Sequence, residues 1–324
     1  MVSELVSVIV VAYNSSDYIT ETLESISGQT WDKLELIITD DCSEDDTVEV
    51  CCKWLDKNKQ RFLSTTLLTS DRNTGVTANA NRGLYASCGE WIKFLGADDT
   101  LKPDCIRDNM DCINSDHKIK ALFSQIEIYK DTFDAYNLTR TIPETPLSQW
   151  DILDQSRSSD SQYRMLLTGD RINFSPSVFL NRAALFSVGG LDERFSFVED
   201  YPLWLNLTKN GYKLHFMEKV TVNYRQHSKA VNNTGKNFII NPNYFKTEPF
   251  RKVYTYPFLP SDVRLCQRYT WYASQIFRNE RCNRNALPNR NLLRLLTIYL
   301  NPFRYYIWIR KRLFRSLRYN EFYY

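Results

Sequence analysis

The sequence predicts an α/β protein with a mostly parallel central sheet flanked by helices. Residues 5–12 are rich in β-branched side chains and nearly all apolar, as strands buried on both faces of a parallel sheet are, and residues 34–39 indicate a second buried strand. Strand and helix patterns then alternate about every 30 residues through roughly the first 100, which is typical of βαβ units. With 324 residues, 43% of them hydrophobic and 24% charged, the chain has the composition of an ordered globular protein.

The remaining elements are predicted from local patterns. Ile19, Leu23 and Ile26 recur at helical spacing and predict a helix over residues 18–29. The same reasoning predicts helices over residues 47–59, 78–87, 103–114, 181–186 and 261–279, a helix that opens at residues 199–200, and strands over residues 63–68, 91–95 and 121–129. Residues 130–162 are polar and show no sustained period, and we expect a long surface excursion there.

Pairs of acidic residues follow two of the predicted strands. Asp40 and Asp41 end the second strand, and Asp98 and Asp99 follow the strand over residues 91–95. Ligands of open α/β sheets bind at the carboxyl ends of the strands. The adjacent carboxylates of Asp98 and Asp99 stay charged together only at a cost unless a cation lies nearby. A divalent cation that also binds substrate phosphates would satisfy both; the alternative is a solvated turn, in which Asp is common.

Glycine-rich phosphate loops are absent from the sequence. No G-x-G-x-x-G follows the first strand, and no G-x-x-x-x-G-K-[ST] occurs anywhere. The layout is that of a nucleotide-binding protein, so we expect carboxylates and a metal to hold the ligand.

An ordered series of motifs then identifies a family. The chain resembles the family 2 inverting glycosyltransferases, which have the GT-A fold, over roughly residues 5–232. The resemblance is carried by Val10-Val11-Ala12-Tyr13-Asn14, Thr39-Asp40-Asp41-Cys42-Ser43-Glu44-Asp45, Asn73-Thr74-Gly75, Asn81-Arg82-Gly83, Phe94-Leu95-Gly96-Ala97-Asp98-Asp99, Gly189-Gly190-Leu191-Asp192, Glu199-Asp200 and Tyr224-Arg225-Gln226-His227. Each motif is weak alone, whereas the ordered series is specific.

The resemblance implies a donor site and a metal site. The donor-binding residues would be Ala12, Tyr13 and Asn14 around the nucleotide, Asp40 as acceptor from N3 of a uracil-type base, Arg82, and Asp98 on the ribose. The ligands of a divalent metal, Mn²⁺ or Mg²⁺, would be Asp99, Asp98 and His227, with His227 alternatively approaching the diphosphate.

The resemblance also implies a catalytic base near the acceptor. Asp200, with Glu199 beside it, would take a proton from an acceptor hydroxyl. Acids are also favoured at helix N-termini by the helix dipole, so this pair has an ordinary structural explanation. Asp192 competes for the role of base, although an Asp after two glycines usually forms a turn.

The chain departs from the family pattern at two positions. Gly96 stands where members often have the first acid of a D-A-D-D stretch, and Ala80 stands where many have Arg. The acids expected nearest the metal remain as Asp98 and Asp99, so we expect activity to be retained. The donor contact that Ala80 cannot make is either supplied by Arg82 or missing.

The C-terminal part has a different character. Residues 284–318 contain nine Lys or Arg and no Asp or Glu, and aromatic side chains are interleaved among them. Such a segment can lie on an anionic membrane, or it can pack on the protein with a solvated basic face. Nucleic-acid binding is not expected, because the rest of the chain is acidic and carries no motif for it. We divide the chain into residues 1–110, the nucleotide-sugar half, 111–235, the acceptor and catalytic half, and 236–324, a helical extension.

The sequence thus predicts a metal-dependent inverting glycosyltransferase of hexosyl or N-acetylhexosaminyl type. It would transfer a sugar from a nucleotide diphosphate, UDP above all, to a hydroxyl of a glycan or lipid-linked glycan in cell-surface polysaccharide biosynthesis. The alternatives are a catalytically silent nucleotide- or glycan-binding module and a sugar nucleotidyltransferase. Eight cysteines without a C-x-x-C pair, and the lack of a leader or of roughly 18 consecutive apolar residues, favour a cytoplasmic enzyme, peripheral at the inner face of the membrane.

Overall fold

The computed structural model describes residues 5–148, 151–195, 200–228, 237–314 and 322. The chain forms two compact units, Met1–Gln162 with Ile172–His227, and Tyr163–Arg171 with Ser228–Tyr324. The strands are β1 Val6–Ala12, β2 Leu34–Asp40, β3 Ser64–Thr69, β4 Trp91–Gly96, β5 Thr100–Leu101, β6 Ala121–Lys130, β7 Leu138–Ile142, β8 Phe179–Asn181 and β9 Leu214–Gln226. The helices are α1 Ile19–Ser27, α2 Thr47–Asn58, α3 Val76–Ala86, α4 Cys105–Ser115, α5 Ser159–Leu166, α6 Arg182–Ser187, α7 Asp200–Lys209, α8 Glu248–Tyr254, α9 Ser261–Ser274, α10 Glu280–Asn283, α11 Leu287–Arg294 and α12 Pro302–Phe314.

The described strands form one sheet in the first unit. Its order is β3-β2-β1-β4-β8-β6-β9-β5, and β7 pairs with β6. The predicted α/β class and the parallel pairing of the first four strands are confirmed. The other half of the sheet is mixed, since β4–β8, β6–β8, β6–β7 and β5–β9 are antiparallel and β6–β9 is parallel.

The register of the sheet brings the strand ends together. Ala12 lies opposite Asp40, and Val11 lies opposite Gly96. Strand β2 is buried along its whole length, and β1 is buried except for the half-buried Val11, as their apolar sequences predict. The polar loops after β1, β2 and β4 therefore leave the sheet at one common edge.

Helix α3 approaches the sheet so closely that only glycine fits at one position. A Cβ on Gly83 would lie 2.4 Å from Cγ2 of Ile9. On the same helix, Asn81 donates from Nδ2 to the backbone oxygen of Leu191 (2.8 Å) and accepts from the Leu191 N–H (3.0 Å). The Asn-Arg-Gly motif therefore fixes α3 against the sheet and against the turn that follows α6.

Four strands were not predicted, namely β5, β7, β8 and β9. Strands β5 and β8 have only two and three residues, too few to show an alternating pattern. Strand β7 lies inside the polar segment 130–162, which was expected to be irregular, and β9 spans residues for which no strand was predicted. The β6–β9 register shifts at two places, between Ser124 and Gln125 and between Gln125 and Ile126, and exposed Glu218 and Lys219 interrupt the apolar alternation of β9. A bent strand of this kind loses the period-two pattern by which strands are recognised.

The second unit is built from helices. The apolar run at residues 292–300 forms the end of α11 and a turn of π-helix, Leu295–Tyr299, and Pro302 then begins α12. Within the part of the chain that the structure describes, no helix has both the length and the apolar character needed to cross a membrane.

Candidate active site

Reciprocal hydrogen bonds hold together the loops after β1 and β2. The backbone N–H of Asn14 donates to Oγ of Ser43 (2.8 Å), and Oδ1 of Asn14 accepts from the Glu44 N–H (2.8 Å). Asn14 and Cys42 have positive φ angles of 48° and 66°, a conformation in which Asn is one of the better-tolerated residues. The loop of residues 12–14 is thus fixed beside Asp40, with Tyr13 exposed at the edge of the sheet.

Asp40 is a buried carboxylate at the end of β2. Its Oδ1 accepts from the Ser43 N–H at 2.9 Å, and Oδ2 accepts from the Ser43 hydroxyl. An ionised carboxylate has about four acceptor positions, so these two bonds fix its orientation and leave capacity for a ligand N–H.

Arg82 lies in a network of protein groups. Its guanidinium donates to Oδ1 of Asn79 (2.7 Å), Oγ1 of Thr74 (3.0 Å) and the backbone oxygen of Asp40 (3.2 Å). Asp41, for which no specific role was predicted, accepts from the N–H groups of Thr74 and Gly75 (2.9 and 2.7 Å) at the start of α3. These contacts give Arg82 and Asp41 a structural task, namely to join the end of β2 to the N-terminus of α3.

The two carboxylates after β4 converge over Gly96. A Cβ on Gly96 would lie 2.8 Å from Oδ1 of Asp98 and 3.5 Å from Oδ2 of Asp99. A side chain at position 96 would therefore displace the Asp98 carboxylate as it stands here. The backbone oxygens of Ala97 and Asp99 both accept from the hydroxyl of Thr22, at 2.9 and 2.7 Å, and this anchors the turn to α1.

His227 and Asp98 are in direct contact. Nε2 of His227 lies 2.9 Å from Oδ2 of Asp98, and the imidazole ring packs on Tyr18 with ring centroids 4.5 Å apart. The His227 side chain is 7% exposed, whereas that of Asp98 is 31% exposed. The pair therefore presents a solvent-accessible carboxylate supported by a buried imidazole.

Arg225, for which no role was predicted, holds the two carboxylates of this cluster in position. Its backbone N–H donates to Oδ1 of Asp99 (2.9 Å), and its Nε donates to the backbone oxygen of Asp98 (2.8 Å). The guanidinium also pairs with Glu21 and lies 3.9 Å from the ring centroid of Phe133. Its place two residues before His227 in the Tyr-Arg-Gln-His motif was the available signal.

The electrostatics of Asp99 are those of a buried charge. Burial, and next the neighbouring charge of Asp98, raise the pKa of Asp99 well above its usual value. The hydrogen bond from the Arg225 N–H and the positive charges of Arg225 and Lys93 act in the opposite direction. A carboxylate in this state is stabilised by any cation that binds beside it.

Lys93 is a second buried charge, and sequence analysis missed it. It lies on β4 with no exposed surface, and burial lowers its pKa to about 8. Its Nζ donates to the backbone oxygen of Pro176 at 2.6 Å and thereby fixes the 3₁₀ turn Ser175–Ser177. A single Lys within an apolar strand was the only signal in the sequence.

That turn supports Asp200, the predicted base. The hydroxyl of Ser175 donates to Oδ2 of Asp200, which begins α7 and is half-buried. Burial raises the pKa of Asp200, and the hydrogen bonds from Ser175 and from the Tyr201 backbone oppose the rise. Glu199, the predicted neighbour in catalysis, lies outside the described residues.

Asp192, the competing candidate, is engaged elsewhere. Its Oδ1 accepts from Nε of Arg194 (2.9 Å), and its Oδ2 accepts from Nη2 of the same residue (2.7 Å). This two-point pair closes the turn after Gly189 and Gly190, as the turn interpretation of Asp192 predicts.

The structure thus groups the predicted residues into three clusters in the first unit. One contains residues 12–14 and Asp40, the second contains Asp98, Asp99 and His227, and the third contains Asp200 with Ser175. Among the residues that the structure describes, no group of three or more His, Cys, Asp or Glu side chains forms a ready metal site. The donor chemistry of the second cluster nevertheless fits a hard divalent cation that completes its shell with substrate phosphates and water.

A mixed sheet whose parallel half ends in carboxylates and polar loops, without a glycine-rich phosphate loop, is the arrangement of an α/β protein with the GT-A fold. Comparison with known proteins then gives the family. Residues 7–187 match the model of glycosyl transferase family 2, and the chain belongs to this family. The predicted family and the GT-A fold are confirmed.

Two relatives illustrate the similarity. The chain is 32% identical over 138 residues to the succinoglycan biosynthesis protein ExoO of Rhizobium meliloti, covering 38% of each chain. It is 28% identical over 247 residues to an Escherichia coli UDP-Glc:alpha-D-GlcNAc-diphosphoundecaprenol beta-1,3-glucosyltransferase, covering 75% of this chain and 86% of the relative. The alignment with the first relative therefore spans well under two thirds of that protein.

A solved structure shares the fold. Staphylococcus aureus TarS 1-349 in complex with UDP-GlcNAc has a TM-score of 0.57 and 18% identity, covering 89% of this chain and 78% of that one. At this identity the similarity establishes the fold alone.

Proposed function

We propose that this glycosyltransferase moves a hexosyl or N-acetylhexosaminyl group from a UDP-linked donor to a hydroxyl of a glycan or lipid-linked glycan. The configuration at the anomeric carbon would invert, and the product would enter a cell-surface polysaccharide. The observation that carries the proposal is that residues 12–14 with Asp40, and the Asp98–Asp99 pair with His227, follow strands that end at the same edge of the sheet. The choice of donor is supported by two similar proteins. The Escherichia coli relative is named as a UDP-Glc glucosyltransferase, and the Staphylococcus aureus structure is a complex with UDP-GlcNAc.

The donor would be held at its two ends by different clusters. Asp40, oriented by Ser43, would accept a hydrogen bond from the base, and the exposed Tyr13 would lie beside it. Asp98, Asp99 and His227 would hold a divalent metal, Mn²⁺ or Mg²⁺, together with the diphosphate. When bound, the metal would supply charge neutralisation for the departing diphosphate. Arg225 and Thr22 would keep the two carboxylates in position.

The acceptor would be activated by Asp200. A free hydroxyl has a pKa far above neutrality, so its attack needs a base within hydrogen-bond reach. Burial raises the pKa of Asp200 towards the operating pH, the direction in which a general base becomes more effective, and Ser175 orients the carboxylate. Attack from the face opposite the leaving group inverts the configuration and needs no covalent enzyme intermediate. Glu199 is proposed as the neighbour of this base.

Donor hydrolysis tests the proposal without knowledge of the acceptor. A panel of nucleotide sugars is incubated with the protein and Mn²⁺, Mg²⁺ or EDTA, and free nucleoside diphosphate is measured. We expect release from UDP-sugars that requires metal, and the first-formed sugar should have the inverted anomeric configuration by NMR. A silent binding module would bind UDP and release nothing, and the family membership already argues against a nucleotidyltransferase.

The second unit would bring the enzyme to its substrate at an anionic membrane. The basic segment of residues 284–318 carries exposed aromatic side chains, among them Tyr299, Tyr305 and Trp308. Exposed Tyr and Trp beside Arg and Lys are typical of segments that lie in a membrane interface. We therefore propose a peripheral location, which would suit a lipid-linked acceptor.

A further inference from the structure

The second unit contains a cavity of about 850 Å³ that no predicted role covers. Its walls come from α9, α12 and the π-helical turn Leu295–Tyr299, together with side chains from residues 168–171 and 244–251. Four cationic side chains line it, those of Arg171, Arg251, Arg304 and Lys311, and the described lining residues include no Asp or Glu. The positive charge of this lining favours the binding of an anion.

The walls are held in place by buried polar contacts. Asn301, which has no exposed surface, donates from Nδ2 to the backbone oxygen of Cys266 (3.1 Å) and to Oγ1 of Thr270 (3.2 Å). Further along α12, Nη1 of Arg310 pairs with the buried Asp262 on α9 at 3.1 Å. These contacts fix both ends of the α9–α12 wall, so the cavity exists before any ligand binds.

Two of the cations have no carboxylate partner within the described part of the chain. Arg251 donates to the hydroxyl of Thr247 (3.0 Å) and lies 5.1 Å from the ring centroid of Tyr244, while the Arg304 side chain is exposed. Burial lowers the pKa of Lys311, and a negative group bound beside it would stabilise the charged form of this lysine. Arg side chains bind phosphate groups well, because their paired N–H donors match the spacing of two phosphate oxygens.

The other side of the cavity is apolar. Val263 and Ile307 are buried in its wall, and Ile298 is 37% exposed. Two aromatic side chains of the lining reach solvent, Tyr299 with 61% and Trp308 with 58% exposure. A small inorganic anion would leave this apolar surface unused, whereas an amphiphile would bury it.

We propose that this cavity binds one lipid molecule by its phosphorylated end. The phosphate or diphosphate group lies among Arg251, Arg304 and Lys311, and the first part of the hydrocarbon chain runs along Ile298 and Ile307. This inference concerns the second unit and does not require the proposed donor chemistry. A lipid-linked acceptor and a membrane phospholipid share this chemistry, and they differ in having two phosphates or one.

Calorimetry on the full chain tests the proposal. The ligands are farnesyl diphosphate, dihexanoyl phosphatidylglycerol below its critical micelle concentration, and inorganic diphosphate, all with EDTA so that metal-dependent binding at the Asp98–Asp99 cluster is suppressed. We expect one of the two lipids to bind, and to bind more tightly than inorganic diphosphate. Preference for farnesyl diphosphate identifies a lipid diphosphate as the ligand, and preference for the glycerolipid identifies a membrane phospholipid.

Matched variants distinguish binding in the cavity from nonspecific attraction to the positive charge of the second unit. In Arg304→Ala/Lys311→Ala we expect lipid affinity to fall about tenfold or more, because two charge-assisted contacts are lost. Arg290→Ala/Arg294→Ala removes two charges from α11, outside the cavity, and should leave affinity nearly unchanged. Ile298→Asn should weaken lipid binding without affecting inorganic diphosphate.

Three results would overturn the proposal: no lipid binds, inorganic diphosphate binds as tightly as the lipids, or both charge-pair variants weaken binding equally. If the double variant does not fold, Arg304→Ala alone replaces it, because Arg304 is exposed and its loss should not disturb the packing. Donor hydrolysis of the same variants with metal is measured separately, so that failure of the transferase proposal is not mistaken for failure of this one.

Discussion

Replacing Asp99 by Asn distinguishes two effects of its buried charge, namely its cost to the stability of the fold and its contribution to metal binding. The Asp99 side chain is 3% exposed, and its Oδ1 accepts from the Arg225 N–H. Asn keeps a carbonyl oxygen for that bond and removes the charge. We therefore expect Asp99→Asn to fold and to lose most of its metal-dependent binding of UDP, because a neutral amide oxygen holds a divalent cation less tightly than a charged carboxylate does.

The stability of the metal-free variant follows from opposing contributions. Burying a charged carboxylate costs several kcal/mol, and its attraction to Arg225 and Lys93 recovers part of that cost. A neutral hydrogen bond from the Arg225 N–H is weaker than the charge-assisted one by about 1 kcal/mol. We expect the balance to favour Asp99→Asn by about 1–3 kcal/mol near pH 8.

The difference in unfolding free energy between Asp99→Asn and the wild type should increase with pH. Because the pKa of Asp99 is raised in the folded state, the folded wild type holds its proton to a higher pH than the unfolded chain does. Its contribution is fully present below the unfolded pKa, about 3.9, and is lost as the pH rises through the folded pKa. The advantage of Asp99→Asn should therefore be small in acid and grow towards neutral and alkaline pH.

Denaturant unfolding with EDTA at acidic and alkaline pH measures this stability, and calorimetry with UDP and Mn²⁺ measures the use of the charge. The control is Asp104→Asn, which removes an exposed carboxylate outside the cluster and should change neither quantity. Metal-dependent UDP affinity equal to that of the wild type, or a variant that is less stable at alkaline pH, would refute the reasoning.

Three further substitutions test other parts of the site. Asp40→Ala should weaken UDP binding by about 1.5–3 kcal/mol, the cost of a lost hydrogen bond to a carboxylate. Unchanged UDP affinity in calorimetry would exclude a contact between Asp40 and the uracil ring. Asp200→Asn should lower the rate of sugar transfer by roughly 10²–10⁴-fold with UDP affinity nearly unchanged. If transfer is instead lost in Asp192→Asn and kept in Asp200→Asn, the catalytic base is Asp192. Gly83→Ala should destabilise the protein by about 1–3 kcal/mol, because its Cβ would lie 2.4 Å from Ile9, and an unfolding midpoint equal to that of the wild type would contradict the observed packing.

The elements that the sequence predicted well depend on local patterns. The bounds of β1, β2 and β4 agree with prediction to within one residue, since each is a short apolar run that ends in a polar turn. The strand-end carboxylates could be found for the same reason, because the direction of a strand fixes the edge at which its acids lie.

The missed residues depend on contacts between distant parts of the chain. Lys93 is bonded to Pro176, 83 positions away, and Ser175 is bonded to Asp200 across 25 positions. No local pattern indicates that a lone Lys in an apolar strand finds a carbonyl oxygen, or that one Ser among many orients a base. The cavity of the second unit was missed likewise, because its charged lining is assembled from segments between residues 168 and 311.

Arg82 shows how a correct motif can still leave the role of a residue open. The family resemblance suggested a donor contact for it, and its guanidinium is bonded to Asn79, Thr74 and the Asp40 backbone. A guanidinium has five N–H donors, so these bonds and a ligand contact can coexist. They do mean that any contact with the donor is made by a group whose position is already set by the end of β2.

Gly96 can be understood from the charge and space of the second cluster. Asp98 and Asp99 already crowd the place that a side chain at position 96 would enter, at 2.8 and 3.5 Å. A third carboxylate there would raise the repulsion that burial makes costly, and it would push Asp98 away from His227. Two carboxylates match the charge of one divalent cation, and the glycine leaves Asp98 free to turn towards His227. The departure from the D-A-D-D pattern is therefore consistent with a working metal site, in which the imidazole of His227 supports the carboxylate that remains exposed.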